Sequence, residues 1–139
     1  MKRVNAIQWG LIGLVVWGAP AWAGTNEWTQ MGSGLAAEVN AFGRPSGQAE
    51  TLYAGTQSGF YHSGDSGQTW TLRGATLVDR SVLSLAVDPE DGNRLYAGLN
   101  TGLFTSADAG HTWIVAQAVG PGVLAVGTGA EGRGYAATF

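Results

Sequence analysis

The chain has 139 residues, with seven basic and ten acidic residues and a formal net charge of −3. A surface for nucleic acid or for an anionic membrane needs clustered basic residues, so we expect neither partner. The chain contains no cysteine, which excludes disulfide bonds and a lipid attached through cysteine. The absence of cysteine from an exported chain would fit a bacterial periplasm or the surrounding medium.

The N-terminal residues 1–23 have the pattern of a signal peptide. Two basic residues near the start precede a mostly apolar run, residues 6–18, and an Ala-x-Ala sequence that ends at Ala23. A single membrane anchor is the alternative, but the run is shorter than the roughly 20 residues that span a bilayer. We therefore predict cleavage after Ala23, no membrane insertion of the mature chain 24–139, and a periplasmic or secreted protein.

From Val39 onward the chain repeats itself at a spacing of 43 residues. Leu52-Tyr53-Ala54-Gly55 matches Leu95-Tyr96-Ala97-Gly98, for example. Short apolar runs alternate with clusters of Gly, Pro, Asp and Asn, as expected for strands joined by turns, and no segment has a sustained helical period. A repeat of this length indicates an architecture of stacked units, each of which is one small sheet.

Each copy predicts four strands, so the predicted fold class is all-β. The units are expected at about residues 38–73 and 82–116. In the strand 82–87, large residues at odd positions alternate with smaller ones at even positions, which places Val82 on the face of small side chains. The predicted strands are 38–43, 51–55, 59–63 and 69–73 in the first unit, and 82–87, 94–98, 102–106 and 112–116 in the second.

Partial units flank these two copies. Trp28-Thr29 resembles Trp70-Thr71, so residues 25–31 are predicted to form an orphan strand without its own hairpin. A third unit begins at Gly122 and reaches residue 139, which gives it two strands. Repeating units of this kind are generally stable only when at least three of them are in contact.

Both complete copies contain the pattern Ser-x-Asp-x-Gly-x-Thr-Trp between their third and fourth predicted strands. The aspartate can accept hydrogen bonds from nearby backbone N–H groups, the glycine can take a positive φ, and the tryptophan can fill the space beneath the turn. Folding a turn explains every position of the pattern, and nothing is left over for chemistry. The residues are Ser63, Asp65, Gly67, Thr69 and Trp70, and Ser106, Asp108, Gly110, Thr112 and Trp113.

These two octapeptides resemble the Asp-box (BNR) repeats of sialidases, sortilin-type receptors and Ycf48-type assembly factors. The resemblance implies a β-propeller segment with two complete four-stranded blades and partial blades at both ends. In that family the Asp-box joins the third and fourth strands of a blade and is structural. Its hosts have unrelated functions, so the resemblance predicts the fold and not the activity.

The two copies leave blade faces that need neighbours. We expect the chain to be part of a longer propeller, since propellers typically have about 4–8 blades. The alternative is a ring assembled from several copies of the chain. The expected partners are therefore missing blades of the same chain, or copies of itself, together with a protein or glycan ligand.

The resemblance also implies that ligands bind at one end of the ring, on the loops between strands two and three and between blades. The polar residues predicted on these loops are Gln57, Asp79, Arg80 and Asn100. Arg80 beside Asp79 would suit an anionic ligand, although a solvated turn explains the same pair more simply.

No catalytic, cofactor-binding or metal-binding residues are predicted. A sialidase would need an arginine cluster, a tyrosine nucleophile with a glutamate, and an aspartate; Tyr53, Tyr96 and Tyr135 instead occupy one repeated strand position and are expected to pack. The unpaired His62 and His111 do not make a zinc site. Each turn supplies one carboxylate, whereas a calcium loop supplies several.

The sequence thus predicts an exported, non-catalytic binding or scaffolding module. Two alternatives remain open: a fragment of a sialidase-type glycoside hydrolase whose catalytic residues lie on other blades, and a Ycf48-like photosystem assembly factor.

Overall fold

The structure is a computed structural model that describes residues 35, 37–116, 119–129 and 133–138. The predicted signal peptide 1–23 and orphan strand 25–31 lie outside the described residues. Two four-stranded antiparallel sheets and a two-stranded sheet follow one another along the chain, with a single 3-10 turn at Ala75–Leu77. None of the described helical residues forms a helix long and apolar enough to cross a membrane.

The first sheet, called the first blade, has its strands in chain order, and the second blade repeats that order. The third unit is a two-stranded sheet. The predicted all-β fold, with two complete four-stranded blades, is confirmed. The strands are β1 (Val39–Gly43), β2 (Leu52–Thr56), β3 (Gly59–Ser63), β4 (Thr71–Arg73), β5 (Val82–Val87), β6 (Leu95–Leu99), β7 (Gly102–Ser106), β8 (Ile114–Val115), β9 (Val123–Thr128) and β10 (Gly134–Thr138).

The fourth strand of each blade begins two residues later than expected. β4 begins at Thr71 and β8 at Ile114, because the preceding threonines, Thr69 and Thr112, are bonded to the turn aspartates. These threonines therefore belong to the turn.

A β-bulge recurs in the first strand of every unit. In β5 the register shifts between Val82 and Ser84, and β1 shifts at the equivalent Val39 and Ala41. Val82 pairs with Leu99 and Ser84 with Gly98, so the two residues face opposite sides of the sheet. The expectation that Val82 lies on the face of small side chains is therefore wrong: it packs against the first blade.

Valines seated on glycines hold the units together. A Cβ built on Gly55 would lie 2.5 Å from a methyl carbon of Val82, and one built on Gly98 would lie 2.7 Å from a methyl carbon of Val123. Both valines are fully buried. Since real Cβ atoms do not approach so closely, only glycine lets the next strand pack at this distance.

The main core lies between the first and second blades. Phe60 stacks on Tyr53 with 5.5 Å between ring centroids, and it meets the edge of Trp113 at 5.0 Å. Aromatic pairs of this kind contribute about 0.5–1.5 kcal/mol beyond the area they bury. The buried members are Tyr53, Phe60, Leu77, Val82, Leu85, Leu95, Ala97, Leu99, Phe104 and Trp113.

The opposite face of the first blade remains open among the described residues. Val39 is 40% exposed and Phe42 is 45% exposed, whereas their repeat equivalents in the second blade, Val82 and Leu85, are 0% and 9% exposed. The second pair is covered by the first blade, and nothing described covers the first pair. For the same reason Tyr135 is 62% exposed, although Tyr53 is buried as expected.

Candidate functional site

The turn between β3 and β4, called the first turn (residues 63–70), is organised around one carboxylate. Asp65 Oδ1 accepts hydrogen bonds from the Ser63 hydroxyl and from the Thr69 backbone N–H, both at 2.8 Å. Asp65 Oδ2 accepts from the Thr69 hydroxyl at 2.6 Å. The carboxylate therefore ties the two ends of the turn together.

The turn between β7 and β8, called the second turn (residues 106–113), has the same geometry. Asp108 Oδ1 accepts from the Ser106 hydroxyl at 2.8 Å and from the Thr112 N–H at 2.9 Å, and Oδ2 accepts from the Thr112 hydroxyl at 2.6 Å. The hydrogen bond from the threonine hydroxyl is the main reason that the pKa of each aspartate falls to about 2. An acid this strong is ionised at neutral pH and cannot serve there as a general acid.

Serine and tryptophan complete each turn. In the second turn, the Ser106 hydroxyl accepts from the Gly110 N–H at 2.9 Å, and Trp113 Nε1 donates to the Gly110 carbonyl at 3.1 Å. The residue before the glycine also has a positive φ, 60° at Ser66 and 58° at Ala109, which the sequence reasoning missed. Nothing in the residue type marked those two positions, since non-glycine residues rarely take this conformation.

The second turn does more than close its own hairpin, because it is seated on the first blade. A Cβ on Gly110 would overlap the ring of Phe60, and Arg73 Nη1 donates to the Ala109 carbonyl at 3.3 Å. This contact between blades was not anticipated from the sequence. The spacing of 43 residues reveals the repeated unit, but it does not predict which residues of the neighbouring blade each turn contacts.

Three of the four predicted ligand-face residues lie together. Asp79, Arg80 and Asn100 line one concave cavity of about 220 Å³, where the connection between the blades meets the loop between β6 and β7. Gln57 is not among the lining residues. The remaining lining residues are Ser81, Leu99 and Thr101.

This cavity is called the loop-end cavity. Hydrogen bonds hold its backbone in place, whereas two of its polar side chains are available to bind a ligand. Asp79 has a φ of 59° and donates its N–H to the Ser58 carbonyl at 3.0 Å, and the Asn100 carbonyl accepts from the Gly122 N–H at 2.8 Å. The side chains of Asp79 and Asn100 have no hydrogen-bond partner among the described residues. Arg80 places its guanidinium carbon 6.0 Å from the centre of the Phe104 ring, at the limit of a cation–π contact.

The equivalent loop of the first blade is different, because the side chains of Thr56 and Gln57 are hydrogen-bonded to other protein groups. Thr56 Oγ1 donates to the Gly59 carbonyl at 3.0 Å and accepts from the Ser58 N–H at 3.1 Å. Gln57 Nε2 donates to Glu38 Oε2 at 2.6 Å. Leu99 replaces Thr56 in the second blade, so that loop has no such internal network.

A second cavity of about 320 Å³ lies beside the second turn, on the face of the second blade that looks away from the first. It is lined by Arg94, Tyr96 and Thr105 among others, and Arg94 pairs with the buried Asp88 at 3.7 Å. On the first blade, the repeat-equivalent residues Tyr53 and His62 belong to the face that receives the second turn. This cavity is therefore an uncovered blade face rather than a ligand pocket.

Within residues 35, 37–116, 119–129 and 133–138, no group of three or more His, Asp or Glu side chains is arranged to hold a metal ion. His62 accepts a hydrogen bond from Arg73, and His111 Nδ1 lies 2.7 Å from the Asp108 carbonyl oxygen. Both rings are therefore engaged within the protein.

The fold is similar to that of solved β-propeller proteins. An ancestral GH74 enzyme is 18% identical, with a TM-score of 0.61 over 71% of this chain and 16% of its own. YCF48 from Cyanidioschyzon merolae is 16% identical, with a TM-score of 0.65 over 82% of this chain and 39% of its own. A GH74 xyloglucanase from Xanthomonas campestris is 24% identical, with a TM-score of 0.49 over 70% of this chain and 16% of its own.

The chain thus spans well under half the length of each of these proteins. No family model and no curated protein sequence matches it. Taken with the two four-stranded antiparallel sheets, the likeness to the ancestral GH74 enzyme and to YCF48 identifies the fold as a β-propeller segment, as predicted.

Proposed function

We propose that the chain is an exported, non-catalytic propeller module that binds a protein or glycan ligand at the loop-end cavity. The pattern of residues 1–23 supports export. The repeated turns support a non-catalytic role, because the serine, aspartate and threonine side chains that recur in both are hydrogen-bonded within the turn. We infer that these turns are Asp-boxes, since their residues and their place between the third and fourth strands match that repeat.

One observation carries the proposal: the contrast between the two equivalent loops. In the first loop the side chain of Thr56 is bonded within the loop, and that of Gln57 is bonded to Glu38 at the start of the blade. In the second loop Asn100, together with Asp79 and Arg80 from the connection, presents a carboxylate, a guanidinium and an amide to one cavity. Ligand sites typically combine a concave shape with a few convergent polar groups.

We also propose that further blades, rather than copies of this chain, cover the open face of the first blade. Val82 and Val123 are seated on Gly55 and Gly98, and Val39 is the equivalent valine that remains 40% exposed. The third unit of a copy does not suit this place, because it carries Ala137 where the earlier units carry glycine. The Cβ of Ala137 would occupy the space that Val39 needs.

The rival proposal is a fragment of a glycoside hydrolase of the sialidase type, with its catalytic residues on other blades. The likeness to an ancestral GH74 enzyme is compatible with a hydrolase host, but at 18% identity it concerns the fold alone. A Ycf48-like assembly factor is a further candidate on the same terms.

Binding by matched variants tests the leading proposal. The full-length chain is screened against a glycan array and a displayed peptide library, and each ligand found is titrated against Asn100→Ala, Arg80→Gln and Gln57→Ala. We expect at least a roughly tenfold weaker Kd for the first two, since a hydrogen bond to a charged or polar ligand group contributes about 1.5 kcal/mol or more. Gln57→Ala should bind as the wild type does, because the Gln57 side chain is already hydrogen-bonded to Glu38.

Equal binding by Asn100→Ala and the wild type would contradict the assignment of the cavity. A fluorogenic sialoside tests the rival proposal of a sialidase-type hydrolase. Hydrolysis by the full-length chain would favour an enzyme, whereas no release of the fluorophore by folded protein would exclude sialidase activity in this chain.

A further inference from the structure

Arg73 makes one hydrogen bond within the first blade and one to the second blade. Its Nη2 lies 2.9 Å from His62 Nδ1 in the same blade, and its Nη1 donates to the Ala109 carbonyl in the second turn at 3.3 Å. Arginine has only donors, so His62 Nδ1 must be the unprotonated acceptor and the ring proton must be on Nε2. The neutral imidazole therefore orients the guanidinium toward the second blade.

This bridge lies beside the contact between the second turn and the first blade. Next to Ala109, the backbone of Gly110 rests on the ring of Phe60, and Trp113 meets that ring edge-on at 5.0 Å. The His62 ring is half-buried and lies 5.7 Å from the ring of Tyr53. A positive charge formed on His62 would arise in a place that water reaches only in part.

Charged and titratable groups face His62 from every element packed against it. Arg73 lies on β4, His111 on the second turn, Asp65 on the first turn and Tyr53 on β2. Burial, followed by the charges of Arg73 and His111, holds the pKa of His62 below its ordinary value, and Asp65 opposes them. Burial and the two neighbours that lower the pKa of His62 outweigh the one that raises it.

We propose that His62 and Arg73 form an acid-sensitive latch between the first and second blades. When Nδ1 takes up a proton, it loses the lone pair that accepts from Arg73, and two cations then face each other at the junction. The guanidinium leaves this position, its hydrogen bond to Ala109 is lost, and the second turn loosens from the first blade. The hydrogen bonds within each sheet do not involve these side chains and are kept.

The direction of the pH dependence follows from linkage. Because the pKa of His62 is lower in the folded than in the unfolded chain, the unfolded chain binds the proton at a higher pH. The latch therefore contributes its full stabilisation above the unfolded pKa, near 6.5. That stabilisation is lost as the pH falls through the lower, folded pKa.

Of the two junctions between described units, the one between the first and second blades carries the latch and the next one does not. The second blade has Thr105 in place of His62 and Ala116 in place of Arg73, so its outward face has neither the acceptor nor the donor. The variant His62→Thr therefore removes the acceptor for Arg73 and introduces the residue that the second blade has at the same strand position.

Nuclear magnetic resonance of the full-length chain tests the latch. A titration from about pH 8 to about pH 4.5, the range in which histidines change charge, follows the ring signal of His62 and the indole N–H signals of Trp113 and Trp70. Both indoles donate to a turn glycine carbonyl, but Trp113 lies at the junction and Trp70 does not. We expect the Trp113 signal to shift with the same midpoint as His62, and the Trp70 signal to stay.

Three variants make the result specific. His62→Thr should abolish the shift of Trp113, and His111→Gln should keep it with a higher midpoint, because one of the groups that lower the pKa of His62 is gone. If His62→Thr does not fold, Arg73→Ala serves in its place, with no shift of Trp113 and a higher midpoint for His62. Titration of His62 without a shift of Trp113, or a shift that survives in His62→Thr, would overturn the proposal.

Discussion

The ring of Phe60 in the first blade meets the indole of Trp113 in the second blade edge-on, with 5.0 Å between their centroids. Both residues are buried, and Gly110 and Gly74 pack against them without side chains of their own. The second turn is therefore both the end of its own hairpin and a packing element of the neighbouring blade. This double role decides which substitutions should weaken the molecule most.

Trp113→Ala should lower the free energy of unfolding by about 3–5 kcal/mol, the usual cost of truncating a buried aromatic residue. Trp70→Ala is the matched control, because Trp70 has the same place in the first turn but contacts Phe42, which is half exposed. Its loss should be smaller, as measured by urea unfolding. Equal losses would show that the contact between blades adds nothing.

Gly55→Ala should destabilise the junction by about 1–3 kcal/mol, since the added methyl group would overlap Val82. Gly127→Ala is the control within a strand: no described atom lies within 4 Å of its added Cβ. The double variant Gly55→Ala/Val82→Ala should recover part of the loss, because the two changes act on one contact. Strictly additive losses in thermal unfolding would contradict the direct contact.

Acid should weaken the repeated turns in a defined window. The pKa values of Asp65 and Asp108 are lowered to about 2 in the folded chain, against about 3.9 for a free aspartate. Their stabilisation is present above the unfolded pKa and is lost as the pH falls from about 4 toward 2. The double variant Asp65→Asn/Asp108→Asn should be less stable at neutral pH and should lose less stability over that window.

Asp108→Ala should lower the melting temperature and leave ligand binding unchanged in the protein that remains folded. The carboxylate bonds only to its own turn, and it is not among the residues that line the loop-end cavity. Loss of binding at an unchanged melting temperature would mean that the turn takes part in recognition.

Much of the fold could be predicted from the sequence, because the repeat and its turn residues act locally. A glycine, an aspartate and a tryptophan at fixed spacing specify a hairpin wherever it is placed, and the strands flank it. What failed was the face of Val82. Alternation assigns it to the side of Ser84, but the bulge between them turns it to the other side, and bulges leave no reliable mark in a single sequence.

The candidate site was predicted in part for a similar reason. Asp79, Arg80 and Asn100 could be assigned to loops at one end of the ring because the strand order repeats. The pairing of β1 with β2 also places Gln57 opposite Glu38, but the residue types do not specify the hydrogen bond between their side chains. The bridge from His62 through Arg73 to Ala109 joins three elements, and no local pattern predicts it.

The two glycines beneath Val82 and Val123 have a consequence for the order of the units. The blade faces are otherwise built from aliphatic and aromatic side chains that many neighbours could cover. A valine that needs an empty position admits only a neighbour with glycine at the matching place. In a chain whose units were shuffled or duplicated in tandem, a unit would pack only on a neighbour that has glycine at the matching position. Ala137→Gly would be the change that lets a first blade, with its Val39, pack on the third unit.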